Sequence, residues 1–496
     1  MKSGGCGVVV NIKFNLERKR EMLMRDRKIL TKIAIVVLNS WMLAASANVL
    51  FTPENYLQQV QNKNQGILAS KESSSAYKSK SQEGELLFSP SLFATTQVLD
   101  DQKQTASLAS MGERTLVETY SVGVSDVTKF GLQSKVSYII NHYDINGASL
   151  LYLPKPKYYE AKSGVDLTFP ILRNFLSKEY KAMNSATKAS SMAAYYGESY
   201  KQKMLLAEAE MTYWRLVLAR ETVLIQKESL ERAQKIRDWN QERYNKQLAD
   251  KTDLLQSEAA TEGRKIELQM ALDEEQSSMR SFNSIRGIDS DSVNESLVRL
   301  DTNNYVEKII IPEFKDLRDD VKAQEQQKLA VNASSEISNQ KITPALDLYG
   351  SLYLNGKKEK FGDTFNQSVS TNYPTVTVGV KFTMPLDFGL TKDLKNGYIL
   401  EKQGAEINFQ KKLFDQKREW HDLKQKLAEA KKRLRLTSLL AESQKLKLKH
   451  EREQHKKGRS TTFQVLLFEQ DHDTAKLNNI RIKTEILKII AQMKTF

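Results

Sequence analysis

Apolar and polar residues alternate along two stretches in the second half of the chain. Leu346, Leu348, Gly350, Leu352 and Leu354 fall on one side of residues 345–354, with Asp347, Tyr349, Ser351 and Tyr353 on the other. Val376, Val378, Val380, Phe382 and Met384 alternate in the same way with Thr377, Gly379, Lys381 and Thr383. A period of two over about ten residues suits a strand with lipid on one face and water on the other, which makes Val376, Val378, Val380 and Phe382 candidate membrane-facing residues. Residues 135–141 and 164–171 read as the equivalent strands of the first half, and polar loops at 147–163 and 355–373 join the strands of each pair. Leu92–Val98 and Tyr120–Val124 are also strand-like; the pattern fits either a crossing of the membrane or packing beneath it.

Elsewhere the period changes to that of a helix. No proline follows Pro170 until Pro312, and none follows Pro385, which leaves two long helix-permissive stretches rich in Lys, Glu, Gln, Leu and Ala. Leu413, Trp420, Leu427, Leu434, Ala441 and Leu448 recur with heptad spacing, and Leu423 and Ala430 fill the intermediate positions, a sustained seam for a neighbouring helix. Helices are predicted over 175–246 and 391–456, about 108 Å and about 99 Å long, with shorter ones at 54–84, 251–286, 313–341 and 462–495. Turns fall near Gln247–Lys251 and Lys457–Ser460, where the helical pattern lapses.

The chain also repeats itself. Val165, Leu167, Thr168, Phe169, Pro170 and Ile171 are echoed by Val380, Phe382, Thr383, Met384, Pro385 and Leu386, and Leu254–Leu255 by Leu466–Leu467. The predicted fold is mainly α with membrane β: long α-helical hairpins forming an α-barrel, plus about four strands given to a shared transmembrane β-barrel, in an internal two-fold repeat. Four strands cannot close a barrel alone, since about eight are needed and lipid tolerates no open edge. Residues 48–290 form the first repeat, with strands in about 86–174 and a helical hairpin over about 175–286. Residues 291–311 are an irregular linker. Residues 312–496 form the second repeat, with strands in about 345–387 and a hairpin over about 391–495.

Composition agrees with a wall made of strands. A mean hydropathy of −0.52 is too polar for a helical membrane protein, and no stretch after the leader has the eighteen or so apolar residues of a spanning helix. Nine Lys or Arg stand against three Asp or Glu in residues 1–47, so of the net charge of +14 the remainder carries roughly +8, mixed in sign along helix faces and unlike a nucleic-acid surface. Residues 25–47 have the three parts of an export signal: Arg25, Arg27, Lys28 and Lys32, then an apolar core, then Ala45-Ser46-Ala47 before cleavage between Ala47 and Asn48. Met22 or Met24 is an alternative start. The only cysteine, Cys6, lies in this leader, which leaves no thiol or disulfide downstream. Of five histidines, His142 falls in a strand and His421, His450, His455 and His472 on helices, with no zinc-type spacing. No phosphate loop or nucleophile elbow is present, so neither a catalytic centre, a metal nor a cofactor is expected.

Several runs resemble TolC-like outer membrane efflux proteins. They are Ala207–Ala219 with its Met-Thr-Tyr-Trp core, Arg243-Tyr-Asn245 through Thr252–Gln256, Pro344–Gly350, and Lys457–Ser460 followed by Val465–Leu467. The resemblance covers most of residues 53–496 in order. It implies a homotrimer in the bacterial outer membrane, with a twelve-stranded barrel continuing into a periplasmic α-barrel. It also implies a passive exit duct working with a periplasmic adaptor protein and an inner-membrane pump. The family's periplasmic gate maps onto Asp253 and His455, with the basic residue displaced to Arg459 and Gln464 standing where an acidic residue is expected, so Asp253 is expected to pair with His455 or Arg459 of a neighbouring hairpin. A periplasmic adaptor would show a single hairpin within a small β-domain, and a coiled-coil scaffold would lack the alternating strands. The exported substrate is not legible in the duct.

Overall fold

The computed structural model of the protein describes residues 50–300, 306, 310–314 and 317–496. The leader, with Cys6 and the expected cleavage site at Ala47 and Asn48, lies outside the described residues, as does most of 301–309. Six strands follow one another in sequence: β1 Ser91–Asp101, β2 Arg114–Val127, β3 Gln133–Asn146, β4 Lys157–Pro170, β5 Ala345–Lys358 and β6 Pro374–Thr383. They form one antiparallel sheet in the order β1-β2-β3-β4-β5-β6. The main helices are α1 Pro53–Lys63, α2 Gln65–Lys80, α3 Lys178–Asn245, α4 Lys251–Ile285, α5 Asp319–Ile342, α6 Phe361–Ser368, α7 Phe388–Lys456 and α8 Thr462–Met493.

The expected count of about four strands is corrected to six, because Leu92–Val98 and Tyr120–Val124 lie within β1 and β2, a hairpin in the same sheet. The predicted helix at 54–84 is two helices. Asn64 ends the first and caps the second, its Oδ1 accepting from the Ile67 amide at 2.9 Å. The loop expected at 355–373 is shorter, since β5 runs on to Lys358 and α6 fills most of the remainder. The helix expected from residue 313 starts at Asp319, where Asp319 and Asp320 place two carboxylates in the first turn. The other long helices begin and end within a few residues of expectation.

Both hairpin turns end their first helix in the same way. After α3, Leu248 N–H donates to Arg243 O at 2.8 Å and Gln247 N–H to Tyr244 O at 2.9 Å, with Gln247 at φ 61°. After α7, Arg459 N–H donates to Gln454 O at 2.9 Å and Gly458 N–H to His455 O at 3.0 Å, with Gly458 at φ 72°. This is the Schellman pattern, which puts one residue in the left-handed region.

The chain divides into two units, each built from both halves of the sequence. The first contains the described residues of 50–59, 212–308 and 441–481. Its core is an aromatic cluster in which Tyr56 stacks on Phe282 at 4.1 Å and lies 5.8 Å from Tyr213. Tyr56 Oη donates to Phe282 O at 3.0 Å and Tyr213 Oη to Phe51 O at 2.6 Å, so these buried hydroxyls are satisfied. The irregular stretch after α4 is held against this core: Phe51 bridges Leu297, and the Arg286 guanidinium reaches Glu295 at 2.6 Å.

The second unit contains the described residues of 60–211, 309–440 and 482–496, including the whole sheet. Where β4 passes into α3, Asn174, Leu176 and Ser177 all have positive φ. The bend is held because Asn174 Oδ1 accepts from Glu179 N–H at 2.8 Å, Gln340 Oε1 accepts from Asn174 N–H at 3.0 Å, and Ser177 Oγ donates to Thr128 O at 2.8 Å. In the same unit Arg318 is buried between the rings of Tyr200 and Phe496 and paired with Asp320 at 2.6 Å and Glu419 at 2.8 Å. Of the heptad seam, Leu427, Ala430 and Leu448 are buried, while Leu436, Leu439, Leu440 and Leu446 of the same helix are exposed.

Candidate functional site

The sheet register sorts the strand residues into two faces. Leu352 faces Val376 and Val165, Val165 faces Val136, Val136 faces Val124, and Val124 faces Leu92. One face therefore carries an apolar residue from every strand, and Val378, Val380 and Phe382 lie on it with Leu348, Leu167 and Val122. The opposite face carries Thr95, Ser121, Lys135, Lys162, Asp166, Asp347, Thr377 and Lys381. All four candidate membrane-facing residues of β6 share the apolar face.

On the polar face, glycines stand directly opposite rings. Phe93 faces Gly123, Tyr353 faces Gly164 and Tyr349 faces Gly379, and in each case a Cβ on the glycine would sit within 2.5 Å of the ring. The rings fold over the neighbouring strand, which fixes register without widening the sheet.

Toward the ends of the strands joined by the β1–β2 and β3–β4 loops, the apolar face gives way to charge. Asp100 pairs with Arg114 at 2.7 Å, Glu118 with His142 at 3.2 Å and Asp144 with Lys157 at 2.8 Å. His142 stacks on Tyr159 at 4.5 Å. The helix α6 rests here on the apolar face, with Phe365 against Tyr138 at 5.6 Å and Ser368 Oγ 3.0 Å from Tyr138 Oη. Charged and aromatic residues at the rim of an apolar band are what a membrane–water boundary selects.

The second candidate site is the pair of helical hairpin ends in the other unit. His455 is buried, its ring 4.5 Å from the Trp239 ring, and the Arg243 guanidinium lies 4.5 Å from the same Trp239 ring. Burial and then the Arg243 charge hold this imidazole below its ordinary pKa, against the opposing pull of Asp253 and Glu451. Asp253 is half-buried in the first turn of α4, where its carbonyl oxygen accepts from Asn240 Nδ2 at 3.3 Å. Arg459 is exposed. Gln464 takes part in a capping box: its amide donates to Thr461 Oγ1 at 3.3 Å and its Oε1 accepts from Thr461 N–H at 3.5 Å. Asp253 and His455 are thus close enough to sense each other within one chain, Arg459 is exposed at the surface, and Gln464 is occupied at the start of α8.

Sequence reasoning missed a buried charge cluster above this tip. Arg232 Nη2 reaches both carboxylate oxygens of Asp473, at 2.6 and 2.7 Å, and Arg452 reaches Glu469 at 2.6 Å. Burial would raise the Asp473 pKa, but the His472 hydrogen bond and the Arg232 charge hold it below the usual carboxylate range. Arg232 and Asp473 are 241 positions apart in the chain, a pairing that no local pattern announces. Among the described residues no group of His, Cys, Asp and Glu is arranged to hold a metal ion, and no helix is long and apolar enough to cross a membrane.

No family model and no curated relative matches the chain. Solved structures do. The outer-membrane channel OprN is 14% identical, with 89% of each chain covered and a TM-score of 0.65. The outer membrane protein VceC of Vibrio cholerae is 12% identical over 89% of this chain and 95% of its own, with a TM-score of 0.64. The open-state MtrE outer membrane channel of Neisseria gonorrhoeae is 14% identical over 89% and 88%, also with a TM-score of 0.64. The chain therefore has the fold of the TolC-like outer membrane channels.

Proposed function

We propose that a chain with this fold is one subunit of a passive exit duct through the bacterial outer membrane, its sheet forming part of a transmembrane wall and its helical hairpins the periplasmic part. The observation that carries the reading is the two-faced sheet: all six strands give apolar residues to one side and mostly polar ones to the other, and both outer edges are open. Lipid tolerates no open edge, so several copies must close the wall together, and a homotrimer fits the resemblance. The exposed leucines of α7 offer a second surface for neighbouring copies. The duct would work with a periplasmic adaptor protein and an inner-membrane pump that supplies the energy, and its role would lie in conduction and gating rather than catalysis. Membrane fractionation tests this: heat-modifiable, detergent-extracted material in the outer membrane is expected. Recovery of the protein in the soluble or inner-membrane fraction would point to an adaptor or scaffold instead.

At the hairpin ends the gate would be a ring of Asp253–Arg459 pairs between neighbouring copies. His455 packs on Trp239 and so serves as support beneath the ring.

A further inference from the structure

We propose that the β1–β2 hairpin is part of the transmembrane wall and carries the seam between copies: the free edge of β1 pairs with the free edge of β6 in a second copy, so each copy contributes six strands. The inference rests on the reading of the sheet as a shared membrane wall, and adds to it the strand count, the seam and the width of the exit.

Three observations carry it. First, the internal repeat accounts for only four strands. β3 and β4 lead into the hairpin α3–α4 as β5 and β6 lead into α7–α8, whereas β1 and β2 have no counterpart in the second half. They are nevertheless joined to the sheet along the full length of β2, from Arg114–Asn146 to Val127–Gln133. This pairing covers the edge of β3, so the outer edge of the sheet is β1.

Second, both faces of the wall continue across the added hairpin. Leu92, Ala94 and Val98 of β1 and Val122 and Val124 of β2 extend the apolar face, while Thr95, Gln97, Thr119 and Ser121 extend the polar one. A hairpin packed beneath the membrane would bury its apolar side against other parts of the protein. Here Leu92 is 77% exposed and Val98 64% exposed.

Third, neither free edge is blunted. Soluble proteins protect an edge strand with charge, proline or a bulge. From Leu92 to Leu99, β1 has no charged residue and no proline. In β6 the proline is the first residue, and the one charge, Lys381, lies on the polar face. The two edges also match in length, at 11 and 10 residues. The occupant that fits each edge is the other edge on a second copy, which repeats around a ring until it closes.

Three copies then give eighteen strands in place of the twelve that the resemblance implies. Barrel diameter grows nearly in proportion to strand number; at a strand spacing of about 4.8 Å and a tilt of about 40° the backbone diameter is about 36 Å rather than about 24 Å. An exit of that width would be lined by hydroxyls and by charges of both signs, Lys135, Lys162 and Lys381 with Asp166 and Asp347.

Cysteine cross-linking of the full chain in outer membranes tests the seam. In a Cys6→Ser background, Thr95→Cys and Gln97→Cys on β1 are each combined with Thr375→Cys, Thr377→Cys or Lys381→Cys on β6. Lys135→Cys and Ser137→Cys on β3 are combined with the same partners. Oxidation is expected to produce covalent oligomers from a β1–β6 combination and none from β3–β6. Electron cryo-microscopy of the unmodified protein in lipid nanodiscs is expected to count eighteen strands. Cross-links from β3 in place of β1, or a barrel of twelve strands, overturn the inference while leaving the duct standing; a protein that forms no membrane barrel removes the duct reading itself.

Discussion

At the scale of single residues, the tip is governed by groups whose charge depends on burial. His455 is held below its ordinary pKa in the folded tip by burial and by Arg243, whereas in the unfolded chain it takes up a proton near its ordinary value of about 6.5. Its contribution to stability is therefore full above about pH 6.5 and is lost as the pH falls through that value toward the lower folded pKa. Amide hydrogen exchange around Trp239 and Gly458, corrected for intrinsic rates, should be faster at pH 5.5 than at pH 7.5. His455→Phe should remove most of that difference while keeping the ring contact, and an equal pH response in the variant would assign the effect elsewhere. Asp473 has the opposite chemistry. Asp473→Asn removes the closest counter-charge of the half-buried Arg232, leaving Glu228 at 3.7 Å and Glu469 at 3.8 Å, and should cost about 1 to 3 kcal/mol of stability in the helical unit, read as a lower denaturation midpoint. An unchanged midpoint would mean that Glu469, 3.8 Å from Arg232, takes over the pairing.

At the scale of elements, what was legible in the sequence depended on how regular each element's period is. The long helices were bounded within a few residues because apolar spacing lapses at the turns, and β5 and β6 because their alternation is nearly unbroken. β1 and β2 were harder to place. Glu118 and Asp126 interrupt the apolar face of β2, and Glu118 fits there because His142 lies opposite at 3.2 Å, a partner that only the register supplies. The helix α6 was hidden in a polar loop, its packing residues Phe361 and Phe365 separated by Gly362, Asp363 and Thr364. The assignment of faces can be checked on β6. Val378→Arg should impair assembly, since a cation at mid-bilayer costs about 2 to 4 kcal/mol, whereas Thr377→Arg on the polar face should be tolerated. Equal yields of folded oligomer from both would show that the strand does not border lipid. The turns allow a second check. Gln247 and Gly458 occupy equivalent left-handed positions, where a side chain costs about 1 to 2 kcal/mol. Gly458→Ala should lower the melting temperature and Gln247→Gly should raise it or leave it unchanged; the reverse order would contradict the shared turn geometry.

At the scale of the whole molecule, the proposed function depends on contacts that a single chain cannot make, and the proposed gate is the clearest case. Family resemblance pointed to Asp253, His455, Arg459 and Gln464, but it could not rank them, because their roles depend on side-chain neighbours rather than on position. Burial against Trp239 occupies His455, and the capping box occupies Gln464, which leaves Arg459 as the exposed basic residue among the four. An exposed ion pair is worth only about 0 to 1 kcal/mol, so one pair would not hold a gate. In the proposed homotrimer, three pairs of a few tenths of a kcal/mol, broken together by symmetry, would shift the ratio of closed to open states about five-fold. Single-channel conductance in planar bilayers should therefore rise for Asp253→Ala and for Arg459→Ala by similar factors. The double variant should rise less than the product of the two, because each single change already breaks the shared pair. His455→Phe should leave conductance at pH 7.5 unchanged, which separates the ring of pairs from the packing beneath it. If both single variants conduct as the unmodified protein does, the hairpin ends are held shut by helix packing alone and the ion-pair ring has no part in closure.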